Sequence, residues 1–445
     1  MTKYPRDTSN PSPLEMGLRG ESKPKPKYRS PWLWVPSLAF ADGLPLVAVM
    51  AISVIFYKQL GLSNSAITFY TSWMYLPWIL KPVWSPFIDL VKTKRWWVLV
   101  TEILLGAALG GIAFTIPTSF WLQGSLFFFW VVAFTGASHC VAADGFYLLG
   151  LSERQQAWFM GIRSLADRLA SIFGQGILVM IAGNLQVIFR GSISYSWSLA
   201  FYGFAGLFIA LWLWHHYTLP RPSSDQTHPY VSVRSIWLGF LLTFKAFFRK
   251  KGIIAAIAFI LLFRLPEALL TKVTALFLID AGHNGGLGLS PQEYGLVQGT
   301  VGIIGVSLGS IIGGIMVSRH GLKKWALPMV LAYSLPGFVY LYLSYALTTN
   351  FAVINICVFL EQFGYGFGLT AYMMFLIYYN RGEFRTSHYA LASALGSLSL
   401  MLPGLVAGSL QEMFGYRHFF VIVLLCSIVT LAVTGLLLKG RRFSD

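Results

Sequence analysis

The chain has 445 residues, 56% of them hydrophobic and only 11% charged, with a mean hydropathy of +0.64. Soluble globular proteins carry roughly 25% charged residues, so this composition excludes a water-soluble fold, and its apolar content excludes long disorder. The 33 Lys and Arg against 17 Asp and Glu leave a net charge of +16, which raises nucleic acid as a partner until the charges are placed along the chain.

A bilayer-spanning helix needs roughly 20 mainly apolar residues. Twelve stretches qualify, near 34–57, 66–88, 97–117, 122–148, 157–182, 195–216, 252–279, 292–317, 325–347, 351–379, 387–410 and 417–438. In hydrocarbon every backbone amide must be bonded within its own segment, and the runs do not alternate apolar with polar residues, so helices are expected and a β-barrel is not. The fold class expected is all-α polytopic, with twelve transmembrane helices. Cys140, Cys357 and Cys426 fall inside the spans as small buried residues, with no spacing for a disulfide framework or a metal site. No cleavable signal peptide is visible in the Pro-rich, basic first thirty residues.

With the N-terminal tail placed in the cytoplasm, the tails and the loops after even-numbered spans hold 25 of the Lys and Arg residues. The opposite side holds Lys58, Arg190 and Arg417, and the spans hold Lys81, Arg163, Arg168, Arg264 and Lys272. This asymmetry follows the positive-inside rule and places both termini in the cytoplasm. The net charge therefore reports orientation and gives no support to a nucleic-acid partner.

The organisation expected is a cytoplasmic tail at 1–31, a six-helix half at 32–217, a linker at 218–251, a second six-helix half at 252–438 and a short tail at 439–445. In the linker Val233, Ile236, Trp237, Phe240, Leu241, Phe244, Phe247 and Phe248 recur at helical spacing beside Arg234, Lys245, Arg249 and Lys250, the pattern of an amphipathic helix at the membrane interface. The halves echo each other. Asp89, Lys94 and Arg95 follow span 2 as Ser318, Arg319, Gly321, Lys323 and Lys324 follow span 8, and Leu44–Pro45 recurs as Leu265–Pro266. Secondary transporters are often built from such repeats, with the substrate site between them near the midplane.

Charges inside the membrane are costly and face the protein interior or water. Besides the five basic residues the spans hold Asp42, Glu102, Asp144, Asp167, Glu267 and Glu361. Glu102 lies about a turn from a span end and is expected to reach the interface. Arg264 and Glu267, three apart beside Pro266, can pair on a kinked helix, either around a gated site or as a plain structural ion pair. Arg163 and Asp167, four apart, form either a self-satisfied pair or ligand contacts. Asp42 beside Gly43–Leu44–Pro45 and Asp144 deep in span 4 are carboxylates able to change protonation as access alternates. Glu361 precedes Gly364, Gly366 and Gly368, which permit close helix approach; its alternative role is a hydrogen bond to a neighbouring helix. His215–His216 reads as an interfacial pair. No phosphate loop, potassium-channel filter or nucleophile–base motif stands out, which disfavours an ATP-driven pump, a potassium channel and an enzyme.

The twelve spans in two halves, with the turn Gly314 to Lys324, resemble the major facilitator superfamily, Ser318 standing where an Asp is usual. Longer stretches resemble the AmpG-type muropeptide permeases and the related acetyl-coenzyme A transporters: Asp42 to Leu46, Leu76 to Pro86 around Lys81, Leu262 to Leu269, Glu361 to Gly368 and Thr386 to Leu395. The resemblance implies the major facilitator fold and proton-coupled import of an anhydromuropeptide across the inner membrane of a bacterium, driven by the proton gradient with no bound cofactor. It implies a substrate-facing acid at Asp144, a basic residue at Arg163, and a span-7 pair Arg264 and Glu267 where the family more often has Lys and Asp. His139 and Cys140 replace the first acid of the family's span-4 motif, and Tyr147 and Leu148 its following basic residue.

The candidate substrate or coupling residues are thus Asp42, Asp144, Arg163, Arg264, Glu267, Lys272 and Glu361. Lys81, Asp89, Arg95, Arg319, Gly321, Lys323 and Lys324 form the candidate gating loops. The partners expected are a small polar or anionic substrate, protons and the lipid bilayer, with no nucleic acid and no metal, around a monomer. The runner-up cargo is a coenzyme A thioester or other organic anion, held by Arg163, Arg168, Arg264 and Lys272. Outside transport, a receptor or scaffold is the alternative, and a membrane enzyme ranks last.

Overall fold

The computed structural model describes residues 30–222, 225, 233–250, 252–380 and 385–439; side chains within it at 86, 89, 90, 153, 157, 233–237, 239, 240, 385–387, 438 and 439 lie outside the description. Among the described residues every regular element is helical. Ten stretches are long and apolar enough to cross a membrane. They are span 1 (Pro31–Gln59), span 3 (Lys94–Thr115), span 4 (Trp121–Gly150), span 5 (Arg154–Ile188), span 6 (Ile193–Thr218), span 7 (Ile253–Ile279), span 8 (Pro291–His320), span 9 (Leu322–Ala346), span 10 (Phe351–Tyr379) and a final stretch, His388–Leu437. Span 2 is split into Asn64–Trp73 and Leu76–Val91, which keeps each piece short. The final stretch turns at Gly415, whose φ of 72° suits glycine, and so holds spans 11 (385–414) and 12 (416–439). The described residues thus hold twelve spans.

Local sequence explains where the helices start and bend. Ser63, Thr93 and Asn350 cap helix starts through their side chains, and Ser152 with Gln155 and Ser290 with Glu293 form reciprocal capping boxes. Prolines cannot donate to the ladder and clash one turn back. Span 2 therefore breaks at Met74–Tyr75 before Pro77, span 7 at Arg264 before Pro266, and span 9 at Ser334 before Pro336. Three spans also carry π-helical insertions, at Ala48–Ile52 of span 1, Ile172–Leu178 of span 5 and Val297–Gly302 of span 8. Each supplies at least one residue to the wall of the cavity between the halves.

Spans 1–6 pack among themselves, as do spans 7–12. The halves meet through span 2 against span 11, span 5 against span 8, and span 1 against span 7. Exchanging n for n + 6 turns the 2–11 contact into the 8–5 contact, so the interface has the two-fold character expected of a repeat. Close approach needs missing side chains: a Cβ on Gly299 of span 8 would run into the Gly176 backbone of span 5. Span 10 uses Gly366 to approach the Val306 carbonyl of span 8, and Gly364 and Gly368 to approach the Ala332 and Met329 carbonyls of span 9. With an even number of crossings, the described residues begin at 30 and end at 439 at the same end of the bundle as the basic turns, called the basic end below.

The linker contains the helix Val233–Phe248, which packs against span 11. Of its apolar positions Phe247 is fully buried while Leu241, Phe244 and Phe248 are exposed. The side chains of Val233, Arg234, Ile236, Trp237 and Phe240 lie outside the described residues. Beyond its end, Lys250 Nζ donates to the Tyr379 carbonyl (2.9 Å), and desolvation lowers the pKa of that ammonium group. Asp225 accepts from the backbone N–H groups of Lys94 (2.7 Å) and Arg95 (3.0 Å), so the linker caps span 3.

Candidate functional site

A cavity of about 280 Å³ lies between the halves. The π-helical segments supply Met50 and Ala51 from span 1, Gln175 from span 5 and Gln298 from span 8. Span 7 adds Glu267, Thr271 and Thr274, span 10 adds Glu361, Gln362 and Tyr365, and span 5 adds Arg168. No hydrogen bond or ion pair engages the Arg168 guanidinium among the described residues. Glu361, 6% exposed, accepts from Tyr340 Oη (3.2 Å) and Gln362 Nε2 (3.0 Å), and Gln298 Nε2 in turn donates to Tyr340 Oη (3.1 Å). Its partners are neutral side chains, and no cation faces it among the described residues. The cavity thus offers one free cation and one carboxylate without a counter-ion.

The other carboxylate of the cavity is saturated. The break at Arg264 lets its side chain turn back along span 7, where Nε and Nη2 donate to Glu267 Oε2 (2.7 Å) and Oε1 (2.5 Å). Tyr333 of span 9 and Tyr365 of span 10 also donate to Glu267, at 2.5 and 2.9 Å, and the guanidinium lies 5.4 Å above the Tyr372 ring. In this fork-to-fork pair both carboxylate oxygens of Glu267 and two guanidinium nitrogens of Arg264 are bonded, which offsets the cost of holding the charges away from water. Lys272, 1% exposed, does not line the cavity. Its Nζ donates to the carbonyl of Met50 (2.9 Å), a residue within the π-helical turn of span 1, and lies 5.5 Å from the Tyr75 ring centre. Lys272 therefore ties the two halves together.

A second cluster fills the N-terminal half. Arg163 of span 5 pairs with Asp42 of span 1 (3.3 Å) and with Asp144 of span 4, and stacks over Tyr147. Its self-contained alternative, pairing with Asp167 on its own span, is not what the described contacts contain, because Arg163 is drawn across to spans 1 and 4. Lys81, read from sequence with the loop motif, sits inside this cluster and donates to Cys140 Sγ (3.3 Å). Ligand atoms of Asp42, Cys140 and Asp144 lie within 4.8 Å of one another, a spacing fit for a cation, but the Lys81 and Arg163 cations stand there already.

Glu102 departs from the expectation that it reaches the interface. It is fully buried, 2.5 Å from Nδ1 of His215 and 3.5 Å from Nε2 of His139. His215, expected at the interface, is fully buried too, with Nε2 2.9 Å from Ser37 Oγ; only His216 is exposed. Span-end position suggested exposure, while the packing of spans 1, 3, 4 and 6 closes over both side chains. An acid and a histidine on different spans at matching depth was the signal available.

At the end away from the basic turns the halves are laced together. Lys58 bonds Asp280 (2.6 Å) and Asn64 (2.7 Å). Asn64 Nδ2 reaches Asp280 (3.2 Å), Gln411 (2.6 Å) and Tyr416 (3.1 Å), and Tyr416 donates to Asp280 (2.5 Å). The Gly408 N–H donates to Thr68 (3.0 Å) and the Ser65 N–H to Glu412 (2.9 Å). At the basic end Arg95 donates to the carbonyls of His216 (2.7 Å) and Leu219 (3.4 Å), joining span 3 to span 6. Arg319, Lys323 and Lys324 are exposed beside Gly321, which turns the chain at φ 79°. The Asp89 side chain lies outside the described residues.

No family model matches the chain. Curated relatives do, over almost its whole length. It is 24% identical over 411 residues to the putative transporter AmpG 4 of Rickettsia conorii, covering 89% of this chain and 94% of the relative. It is 25% identical over 408 residues to the anhydromuropeptide permease of Escherichia coli, covering 90% and 77%. The chain resembles the AmpG-type permeases. Among solved structures it is similar to a mutant of the nucleoside transporter NupG (TM-score 0.70, 15% identity, 91% of this chain and 98% of that one) and to PepTSo2 (TM-score 0.67, 14% identity, 92% and 98%). Its fold is the twelve-helix fold of the major facilitator transporters.

Proposed function

We propose that this membrane transporter moves a polar solute carrying charges of both signs, by alternating access between its halves, and that an anhydromuropeptide is the substrate. The carrying observation is the lining of the cavity between the halves, where Arg168 is a free guanidinium and Glu361 a carboxylate without a cation. A sugar–peptide brings carboxylate and ammonium groups to meet them and hydroxyls for Gln175, Gln298, Gln362 and Tyr365. Likeness to an anhydromuropeptide permease supports the same reading. The lacing at Asp280 and Asn64 supports alternating access, since a transporter must seal one end while the other admits substrate.

Orientation follows from charge: the basic end faces the cytoplasm of a bacterial cell and the laced end faces outward. Coupling to protons draws on the carboxylates and histidines gathered away from lipid in the N-terminal half. A coenzyme A thioester fits less well. Its phosphates need several free cations, whereas Arg163, Arg264 and Lys272 are engaged by Asp42 and Asp144, by Glu267 and by the Met50 carbonyl. The test is uptake of labelled anhydromuropeptide by proteoliposomes with and without an uncoupler. Accumulation abolished by the uncoupler and unaffected by excess acetyl-coenzyme A is the expected result. Accumulation that survives the uncoupler rules out proton coupling, and displacement by acetyl-coenzyme A favours the organic-anion cargo. No gradient-driven uptake of any solute would return the receptor reading.

A further inference from the structure

His139 sits at the centre of the N-terminal half with no exposed surface. Its Nδ1 is 3.7 Å from Asp42 Oδ1 and its Nε2 is 3.5 Å from Glu102 Oε1. Among the described residues neither ring nitrogen finds a hydrogen-bond partner, and Asp42 Oδ1 and Glu102 Oε2 are likewise unbonded. Buried polar atoms without partners are rare, and four of them gathered at one place call for a cause. A neutral imidazole has one N–H and one lone pair, while an ionised carboxylate only accepts. Whichever tautomer His139 takes, its lone pair faces an acceptor. The trio is satisfied on both sides only when it holds one further proton, on the ring or on a carboxylate.

We propose that Asp42, His139 and Glu102 form the site that carries the transported proton, and that Glu102, His215 and Ser37 conduct it to the basic end. The inference rests on the transporter reading above and adds to it a division of labour, with the proton in the N-terminal half and the solute in the cavity between the halves. The groups stand in series: His139 Nε2 to Glu102 Oε1 at 3.5 Å, Glu102 Oε1 to His215 Nδ1 at 2.5 Å, and His215 Nε2 to Ser37 Oγ at 2.9 Å. In release, the N–H bond at His139 Nε2 breaks as an O–H forms on Glu102. That proton passes to His215 Nδ1, and His215 gives up its Nε2 proton past Ser37 to water. One proton enters the row and one leaves it. The 3.5 and 3.7 Å gaps are too long for hydrogen bonds in this conformation and short enough for a small movement of spans 1, 3 and 4 to close.

Charged and titratable groups on the neighbouring spans face the trio: Lys81 from span 2, Cys140 and Asp144 from span 4 itself, Arg163 and Asp167 from span 5, and His215 from span 6. The second oxygen of Asp42 is held by Arg163 (3.3 Å), beside a void of about 10 Å³, on the order of one water. Spans 1 and 5, which bear Asp42 and Arg163, also bear Met50, Ala51, Arg168 and Gln175 of the cavity wall. A change of charge at Asp42 therefore acts on the two helices that also shape the solute cavity.

Two measurements on the full chain test this. The first uses no solute: infrared difference spectra between acid and alkaline pH should contain a buried carboxyl or imidazole signal that disappears in both Glu102→Gln and His139→Gln. The second follows labelled anhydromuropeptide in proteoliposomes with an inward proton gradient. Both variants should let it equilibrate without concentrating it, so that stimulation by the gradient vanishes. His215→Gln should slow accumulation and leave its final ratio unchanged. Spectra without the signal, or Glu102→Gln and His139→Gln variants that concentrate solute with the wild-type pH profile, overturn the proposal. If the wild type moves no anhydromuropeptide, the substrate assignment fails while the spectra still decide the proton site. Should His139→Gln fail to fold, His139→Asn and Glu102→Gln bear the same comparison.

Discussion

Glu267 in the C-terminal half and Asp42 in the N-terminal half are both nearly buried carboxylates beside an arginine, yet their surroundings differ. Glu267 accepts two bonds from Arg264 and one each from Tyr333 and Tyr365, so its hydrogen-bonding capacity is filled. Asp42 shares Arg163 with Asp144, leaves Oδ1 unbonded, and faces a histidine that is itself without a hydrogen bond. A filled pair holds one geometry and resists change. An unfilled group can gain or lose a proton, or exchange partners, at small cost, which is the property a moving proton requires. Given the proposed proton site, span 7 anchors while spans 1, 3 and 4 switch.

The largest expected effect comes from breaking the filled pair. Glu267→Ala leaves a buried guanidinium without its carboxylate, and the loss of stability should be about 3–5 kcal/mol, read as a fall in the unfolding temperature in detergent. The double variant Arg264→Met with Glu267→Met should recover most of that loss. Asp280→Asn removes the carboxylate that Lys58, Asn64 and Tyr416 share, at an expected cost of about 1–3 kcal/mol. It should also speed labelling of a Thr271→Cys variant, at the cavity wall, by an impermeant maleimide added at the laced end; unchanged labelling would remove this cluster from the seal. On the unfilled side Asp144→Ala should be mild in stability, about 0–1 kcal/mol, because Asp144 is 44% exposed and Arg163 keeps Asp42. Gradient-driven uptake by that variant should fall nonetheless. Lys323→Ala, on an exposed turn, should change stability by less than about 0.5 kcal/mol in the same unfolding assay.

Much of the fold was legible along the chain. Runs of apolar residues locate twelve spans, since a bilayer demands the same length each time, and the paired basic turns reveal the repeat. The Arg264–Glu267 pair was legible from its spacing of three, because residues that close in sequence lie within reach of each other even across the break at Arg264. Lys272, Glu102 and His215 were not. Lys272 finds its partner in a backbone carbonyl within a π-helical turn 222 residues away. The bond between Glu102 and His215 joins positions 113 residues apart. Lys81 looked like part of a loop motif and belongs to the interior cluster. The π-helical insertions themselves have no marker that separates them from ordinary apolar helix.

Sequence alone determined the membrane-spanning helical class, the number of crossings, the asymmetry of positive charge and the list of charges that must hide from lipid. Those properties depend on composition and on spacings within one helix, which the bilayer reads segment by segment. Only the tertiary structure decided which hidden charges are satisfied and which are left wanting: Glu267 filled from three spans, Arg168 free at the cavity, and His139 held between two carboxylates. Those outcomes depend on how six helices of each half converge, and a residue's nearest neighbours there are set by packing across hundreds of positions.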